Sequence, residues 1–242
     1  MIDKIKKKIE ALGLPSYECE AEIIKSADKK DIASYLEHTV LKPDATVDAV
    51  VKLCNEAKEH NFRGVCINPA YVAKAKDQLQ GTECFIVTVI GFPLGMNITN
   101  TKVNEVHNGI EAGADEVDMV IPVGILKSGD YKAVFEDIRA VVEAAGNTPV
   151  KVIIEICLLT QEEKIAACLL SKKAGAAFVK TSTGFSTAGA TVEDVKLMRQ
   201  VVGKEMGIKA AGGIRDTKTA KAMIEAGADR IGCSASVAIV GG

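Results

Sequence analysis

Short apolar runs rich in β-branched residues alternate along most of this chain with longer segments in which apolar positions recur every three or four residues. The short runs predict strands, and the longer segments predict helices with one apolar face. Strands are predicted near residues 35–40, 63–67, 84–90, 115–121, 150–156, 176–180, 206–210 and 229–233. Helices are predicted near residues 46–60, 69–79, 99–112, 130–145, 161–173, 191–203 and 216–226, with a short one after 234.

This rhythm of strand and helix favours one closed (β/α)8 barrel, a TIM barrel, of the α/β class. Eight units follow one another without a long linker, a low-complexity segment or a shift in composition. The alternative is an open doubly wound sheet, which favours a Gly-x-Gly-x-x-Gly turn after the first strand. Residues 41–44 (LKPD) do not fit that turn. We therefore expect a single barrel domain over residues 33–242.

Residues 1–32 precede the first predicted strand and are expected to form an N-terminal helical extension. One or two amphipathic helices are broken near Gly13 and Pro15, and a further helix is predicted to begin at residues 26–30. We expect this extension to cover part of the barrel as a lid or cap.

Charge and cysteine content argue against several classes of protein. The chain of 242 residues has 30 Lys and Arg against 32 Asp and Glu, so its charge predicts no nucleic-acid partner. Residues 1–10 lack the apolar core of a signal peptide, and no apolar run reaches the ~18 residues of a membrane span. The seven cysteines include no Cys-x-x-Cys pair, which predicts free thiols, no metal site and a reducing cytoplasm.

Polar residues are few at the ends of the predicted strands, where a TIM barrel carries its functional groups. They are Glu37, His38, Thr39, Asn68, Asp118, Glu155, Lys180 and Lys209. Side chains alternate between the two faces of a strand, and the apolar neighbours of Asp118, Lys180 and Lys209 suit the face that meets the helices. These three polar side chains are therefore expected to face the barrel axis together.

Two ammonium groups on neighbouring strands repel each other, and both this repulsion and burial are expected to lower a lysine pKa. A lysine that is neutral near pH 7 can form a Schiff base with a carbonyl, while Asp118 transfers the proton directly or through water. Two alternatives remain open: a Lys–Asp–Lys network that only balances charge, and a Lys180 that reaches solvent from the strand end. The residues alone do not say which lysine is the nucleophile.

Glycine-containing loops follow the last three predicted strands, at residues 181–184 (TSTG), 211–213 (AGG) and 232–234 (GCS). Backbone amides in such loops approach an anion closely, and the last two loops precede helix N-termini, which favour negative charge. The loops therefore predict a phosphate site at the end of the barrel where TIM barrels commonly bind phosphate. The alternative is that these glycines only permit tight turns.

Four segments together resemble the deoxyribose-phosphate aldolase family: residues 179–185 (VKTSTGF), 209–215 (KAAGGIR), 116–120 (EVDMV) and 38–43 (HTVLKP). The resemblance runs from about residue 33 to residue 240, in order and at the family's spacing. It implies a class I aldolase, without a metal or other cofactor, that reversibly cleaves 2-deoxy-D-ribose 5-phosphate to acetaldehyde and D-glyceraldehyde 3-phosphate. It also implies a homo-oligomer, either a dimer or a tetramer.

The same resemblance assigns roles to individual residues. Lys180 would form the Schiff base, Lys209 would be the second lysine that perturbs it and relays protons, and Asp118 would complete the relay. Phosphate contacts would fall on Gly184, Gly212, Gly213 and Ser234.

Some positions depart from the family's usual pattern. Glu37 stands where an aspartate is usual, and we leave it outside the catalytic set. Residues 232–235 (GCSA) have fewer hydroxyls than the usual Gly-Thr-Ser-Ser, so weaker phosphate binding is expected. The chain ends without the tyrosine tail of some relatives, so looser closure over the substrate is expected. Cys66, at the end of the second predicted strand, is expected to be an inert packed thiol.

Two other functions are consistent with the sequence. One is another phosphometabolite-processing TIM-barrel enzyme, and the other is a catalytically silent protein that binds a sugar phosphate. The group of Asp118, Lys180 and Lys209 favours the aldolase, because a binding protein does not need a reactive lysine.

Overall fold

Eight parallel strands close into one barrel in the computed structural model, which describes residues 1–21 and 31–242. Each strand pairs with its neighbours along the chain, and the last pairs with the first, so the predicted (β/α)8 barrel is confirmed. The strands are β1 (Leu36–Val40), β2 (Gly64–Ile67), β3 (Phe85–Ile90), β4 (Glu116–Val120), β5 (Val150–Ile153), β6 (Phe178–Lys180), β7 (Gly207–Ala211) and β8 (Arg230–Cys233).

The helices lie on the outside of the barrel, where the first helix precedes β1, the last helix follows β8, and the others lie between consecutive strands. They are α1 (Ile2–Glu10), α2 (Val47–Glu59), α3 (Val72–Leu79), α4 (Thr99–Ala112), α5 (Val123–Lys127), α6 (Tyr131–Ala145), α7 (Gln161–Lys173), α8 (Val192–Val202), α9 (Thr217–Glu225) and α10 (Ser236–Val240). Helix α5 was not predicted, because five residues are too few to show a 3.6-residue period.

The largest difference from the predicted elements is at the end of β5. This strand ends at Ile153 and not at residue 156. Glu155 has a left-handed backbone with φ 54°, and Ile156–Leu158 then form a single 3-10 turn. The apolar run 152–154 continues past the strand end, so the sequence pattern did not show where pairing stops.

Two of the outer helices begin at side-chain caps that also hold the predicted phosphate loops. At the start of α8, Thr191 accepts a hydrogen bond from the Asp194 amide at 3.0 Å. At the start of α9, Asp216 accepts one from the Thr219 amide at 2.8 Å. Because each cap satisfies a free amide of the first turn, it fixes the end of the loop that precedes the helix.

The two faces of the barrel wall differ in chemistry. Val117, Val179 and Ile208 lie in the apolar layer between the strands and the helices. The inner face carries buried charged side chains on six strands, which are Glu37, Glu116, Asp118, Lys151, Lys180, Lys209 and Arg230. The charged side chains therefore meet along the barrel axis. The apolar layer between the strands and the helices is the hydrophobic core, whose burial stabilises the fold.

The described part of the N-terminal extension packs on the outside of the barrel. Ile5 and Ile9 of α1 are buried, and α1 contacts α7. The Tyr17 amide donates a hydrogen bond to the Lys173 carbonyl at 2.9 Å, at the turn that leads into β6. That turn lies at the end of the barrel opposite the C-terminal strand ends. The helix predicted from residue 26 falls outside the described residues, and the division at residue 32 stays a prediction.

Candidate active site

Lys180 and Lys209 share one carboxylate oxygen at the C-terminal half of the barrel. They face each other in the register of β6 and β7, so both side chains point to the axis. Each ammonium donates a hydrogen bond to Oδ2 of Asp118, at 2.6 Å in both cases. The structure therefore brings together the three residues that the sequence predicted to lie on the axis.

Lys151 is a third lysine on the same aspartate, and the sequence interpretation missed it. It faces Asp118 in the register of β4 and β5, and its Nζ lies 3.2 Å from Asp118 Oδ1. It also forms an ion pair with Glu116 and lies 3.7 Å from Glu37 Oε1. The available signal was a single charged residue inside the apolar run 150–154, the same signal that identified Lys180.

Glu37 takes part in this network, although it was left outside the predicted catalytic set. It accepts a hydrogen bond from Lys209 Nζ, and its Oε1 lies 3.8 Å from Arg230 Nε. Its side chain is buried. Of the two predicted lysines, Glu37 thus contacts Lys209, whereas Asp118 contacts both Lys209 and Lys180.

Positive charge exceeds negative charge in this buried cluster. Among the described residues on the inner face, the cations are Lys151, Lys180, Lys209 and Arg230, and the anions are Glu37, Glu116 and Asp118. Two of the carboxylates are shared: Glu37 lies within ion-pair distance of Lys151, Lys209 and Arg230, and Asp118 lies within ion-pair distance of Lys151, Lys180 and Lys209.

The pKa of Lys209 differs from the expectation that repulsion and burial lower a lysine pKa. Burial opposes its charge, but the negative charges of Asp118 and Glu37 outweigh burial and raise the pKa of Lys209 well above its ordinary value. Burial also favours a neutral Asp118, but Lys151, Lys180 and Lys209 hold the pKa of that carboxyl well below its usual range. Lys209 is therefore an ammonium and Asp118 a carboxylate at neutral pH.

The glycine loops after β6 and β7 pack against each other. A Cβ added to Gly212 would lie 2.9 Å from Gly189 Cα and 3.7 Å from Gly184 Cα, so side chains are excluded where the loops meet. Gly212 and Gly213 have φ of 86° and 79°, a conformation that favours glycine. Ser234 is exposed. Its loop lies beside the loop after β7, because β7 and β8 are paired with Ala211 and Gly232 as register partners. The four predicted phosphate residues thus lie on three neighbouring loops.

Cys66 is fully buried on the inner side of β2. Burial raises the pKa of its thiol, although Lys209 acts in the opposite direction. The thiol is thus neutral at pH 7, as expected for an inert packed cysteine. Within residues 1–21 and 31–242, no group of three or more His, Cys, Asp or Glu side chains could hold a metal ion. No helix in those residues is long and apolar enough to cross a membrane.

Comparisons with known proteins agree with this architecture. Residues 27–240 match the family model described as DeoC/LacD family aldolase. The chain is 58% identical over 217 residues to the deoxyribose-phosphate aldolase of Thermotoga maritima, which covers 90% of this chain and 88% of that protein. It is 59% identical over 215 residues to the deoxyribose-phosphate aldolase of a Geobacillus species, over 88% and 96% of the two chains.

A solved structure gives the same result for the fold. The tetrameric deoxyribose-phosphate aldolase from Aeropyrum pernix matches with a TM-score of 0.81 and 34% identity, over 87% of this chain and 89% of that one. The family model covers well over half of the sequence, and the two curated relatives are far above 30% identical. This chain therefore belongs to the DeoC/LacD family of aldolases.

Proposed function

We propose that this protein is a class I aldolase that reversibly cleaves 2-deoxy-D-ribose 5-phosphate to acetaldehyde and D-glyceraldehyde 3-phosphate. The observation that carries the proposal is the oxygen shared by Lys180 and Lys209, each 2.6 Å from Asp118 Oδ2, in a chain of an aldolase family. An amine beside an ammonium and a carboxylate supplies the nucleophile, the proton donor and the proton acceptor that Schiff-base chemistry requires.

Lys180 is the Schiff-base lysine in this proposal. Among the described residues, Lys180 is ion-paired with one carboxylate, Lys209 with two and Lys151 with three. Lys180 is therefore the lysine of the three that is least engaged by carboxylates. Lys180 is also the last residue of β6, at the end of the barrel where substrates enter.

The reaction begins when Lys180 Nζ attacks the C1 aldehyde of the open-chain sugar and water is lost, which gives a protonated Schiff base. This cation withdraws the electrons of the C2–C3 bond while a base removes the C3 hydroxyl proton, so the bond breaks and D-glyceraldehyde 3-phosphate leaves. The remaining enamine is protonated at C2, and water then releases acetaldehyde and free Lys180.

Lys209 and Asp118 move protons in these steps. Lys209 remains charged because Asp118 and Glu37 raise its pKa, so it is a proton donor that shares Asp118 Oδ2 with the reacting amine. Asp118 contacts both lysines through the same oxygen and passes protons between them. Glu37 holds Lys209 from the other side and keeps its ammonium aimed at Asp118.

The phosphate is held by the glycine loops in this proposal. Gly184, Gly212 and Gly213 offer backbone amides where no side chain intervenes, and Ser234 adds a hydroxyl. Cys233 and Ala235 flank that serine and supply no hydroxyl, so the site relies mainly on backbone donors.

A substrate panel tests the reaction. The wild-type protein is expected to cleave 2-deoxy-D-ribose 5-phosphate fastest, and acetaldehyde and D-glyceraldehyde 3-phosphate are measured separately by coupled dehydrogenases. D-ribose 5-phosphate and a ketose phosphate of similar size are the controls. Faster turnover of either control would indicate a different phosphometabolite enzyme, and saturable binding without turnover of any of the three would indicate a binding protein.

We further propose that the protein forms a homo-oligomer, either a dimer or a tetramer. The support is the tetrameric deoxyribose-phosphate aldolase from Aeropyrum pernix, which shares this fold at 34% identity. Light scattering coupled to size-exclusion chromatography measures the assembly directly. A mass equal to that of one chain, 25.6 kDa, would contradict this proposal.

A reducing location such as the cytoplasm is proposed from the cysteines. All seven lie in the described residues and are free, and Cys54, Cys66, Cys168 and Cys233 are buried. Burial raises the pKa of Cys54 to about 11 and of Cys168 to about 12, so these thiols are unreactive and behave as small apolar side chains. Cell fractionation of the source organism tests the location.

A further inference from the structure

The conformation of Glu155 is unusual for its residue type. Among the described residues, Glu155 and Asn61 are the non-glycine residues with positive φ, at 54° and 52°. Asparagine adopts this conformation readily, because its short side chain can form a hydrogen bond with the local backbone. The longer side chain of glutamate does not provide this compensation. A strained backbone persists where the surroundings hold it, and such positions cluster near functional sites.

The strained residue interrupts the ladder between the ends of β5 and β6. The Ile154 amide donates to the Lys180 carbonyl at 3.0 Å, and the Ile156 amide donates to the Thr181 carbonyl at 3.0 Å. In a regular parallel ladder, successive hydrogen bonds of this kind are two residues apart on both strands. Here the donors, Ile154 and Ile156, are two residues apart, but the acceptors, Lys180 and Thr181, are only one residue apart. Glu155 is thus the extra residue of a bulge, and bulges commonly turn a side chain toward a site.

The carboxylate of Glu155 is buried and binds Thr183 in the first predicted phosphate loop. The Thr183 amide lies 3.3 Å from Oε1 and 3.4 Å from Oε2, and the Thr183 hydroxyl donates to Oε2. The Thr183 Oγ1 in turn accepts a hydrogen bond from the Phe185 amide at 3.0 Å. Gly184, with φ 85°, lies between these two anchored residues.

We infer that Glu155 is a positioning residue that holds the turn of residues 183–185 in the conformation that receives the substrate phosphate. The inference rests on the proposed function, because it assigns a role toward the phosphate of that substrate. Glu155 does not bind the phosphate itself, since two anions would repel each other and its oxygens are occupied by Thr183. It acts by fixing the Thr183 hydroxyl and, through it, the direction of the amides around Gly184.

This role predicts an effect that depends on the phosphate group. In Glu155→Gln the side chain keeps one carbonyl acceptor, loses the charge and places an NH2 donor where a carboxylate oxygen accepted from Thr183, so the Thr183 amide and hydroxyl are held more weakly than in the wild type. We expect kcat/KM for 2-deoxy-D-ribose 5-phosphate to fall by about tenfold or more, mainly through KM. For 2-deoxy-D-ribose, which has no phosphate, kcat/KM is expected to change by less than about twofold.

Two further variants accompany the test. Glu162→Gln makes the same chemical change at an exposed position at the start of α7, and it is expected to leave both substrates unaffected. Thr183→Val removes the hydroxyl, keeps the shape of the side chain and leaves the Glu155 backbone as it is. It should show the same phosphate-dependent loss, and the double variant Glu155→Gln/Thr183→Val should lose no more than the worse single variant. Thr183→Val tests the inference even if Glu155→Gln does not fold.

The outcomes separate this inference from the proposed function. Equal losses on both sugars would overturn the positioning role, because they would place Glu155 in the chemistry or in general stability. Unchanged kinetics on the phosphorylated sugar in both Glu155→Gln and Thr183→Val would overturn it as well. A wild-type protein that cleaves neither sugar and forms no adduct with acetaldehyde would contradict the proposed function, and the inference with it.

Discussion

Two buried lysines in this protein have opposite surroundings. Lys102, between α4 and α6, donates to Asp137 at 2.6 Å and to the Val120 carbonyl at 3.0 Å. Asp137 also accepts from the Thr99 hydroxyl at 2.8 Å. One cation meets one anion there. Lys180, on the barrel axis, shares Asp118 with two other lysines.

The difference shows what distinguishes a structural lysine from a chemical one. Both side chains are at least 97% buried, so burial alone does not separate them. The pair of Lys102 and Asp137 is balanced, with one cation for one anion. On the barrel axis, Asp118 is shared by three lysines, so Lys180 has no carboxylate to itself. This sharing of one carboxylate, and not burial, distinguishes Lys180 from Lys102.

The largest effect is expected from Lys180→Ala. Removal of the amine removes the covalent step, so turnover of 2-deoxy-D-ribose 5-phosphate should fall by at least about 10⁴-fold. The fold should remain, because Asp118 keeps Lys151 and Lys209. Activity and circular dichroism are measured on the same preparation. Persistent cleavage at more than a trace would show that another lysine is the nucleophile.

Lys209→Met should have the next largest effect on activity. The variant removes the ammonium that donates protons and leaves the nucleophile in place, so kcat should fall by about 10²- to 10³-fold. Stability should change less than in a variant of a balanced pair, because Asp118 and Glu37 both keep other cations. A kcat within about twofold of the wild type would contradict the proton-transfer role.

Lys102→Met reverses this pattern and is the matched control. It leaves Asp137 buried with the Thr99 hydroxyl as its donor among the contacts of the described residues. The free energy of unfolding should fall by about 3–5 kcal/mol, while kcat of the folded fraction stays unchanged. Urea unfolding measures the first quantity and active-site-normalised kinetics the second. A larger loss of stability in Lys209→Met than in Lys102→Met would break the comparison.

The smallest expected effect is the pH dependence of stability. The pKa values of Asp118 and Glu37 are lowered in the folded state, so their ion pairs contribute stability above the ordinary carboxyl pKa of about 4 and lose it as the pH falls. The pKa of Lys209 is raised, so its contribution is present below about pH 10 and is lost as the pH rises further. Urea midpoints should thus be flat between these limits, and Lys209→Met should weaken the alkaline decline. A decline that is unchanged in Lys209→Met would assign it to other groups.

Much of the fold could be predicted because each strand and helix carries its own periodicity. The alternation around Asp118, Lys180 and Lys209 also sufficed to place these side chains on the axis, as the ion pairs now show. Lys151 was missed because the apolar residues around it made the run look like an ordinary buried strand.

The charge state of the site could not be predicted from strand order alone. The pKa of Lys209 depends on Glu37, which lies 172 residues away in the sequence and meets it only because β8 closes on β1. The contact between Glu155 and Thr183 likewise requires the backbone bulge after β5, which the apolar pattern did not reveal. Both features come from tertiary contacts that a local pattern does not encode.

Trapping of the covalent intermediate tests the central claim most directly. The wild-type protein is incubated with acetaldehyde and sodium borohydride, digested and analysed by mass spectrometry, with Lys102→Met as the control that keeps the barrel axis intact. The claim predicts that both proteins gain one ethyl group on the peptide that contains Lys180 and that Lys180→Ala gains none. An unmodified Lys180 peptide, or an ethyl group on Lys209 or Lys151 in its place, would contradict it.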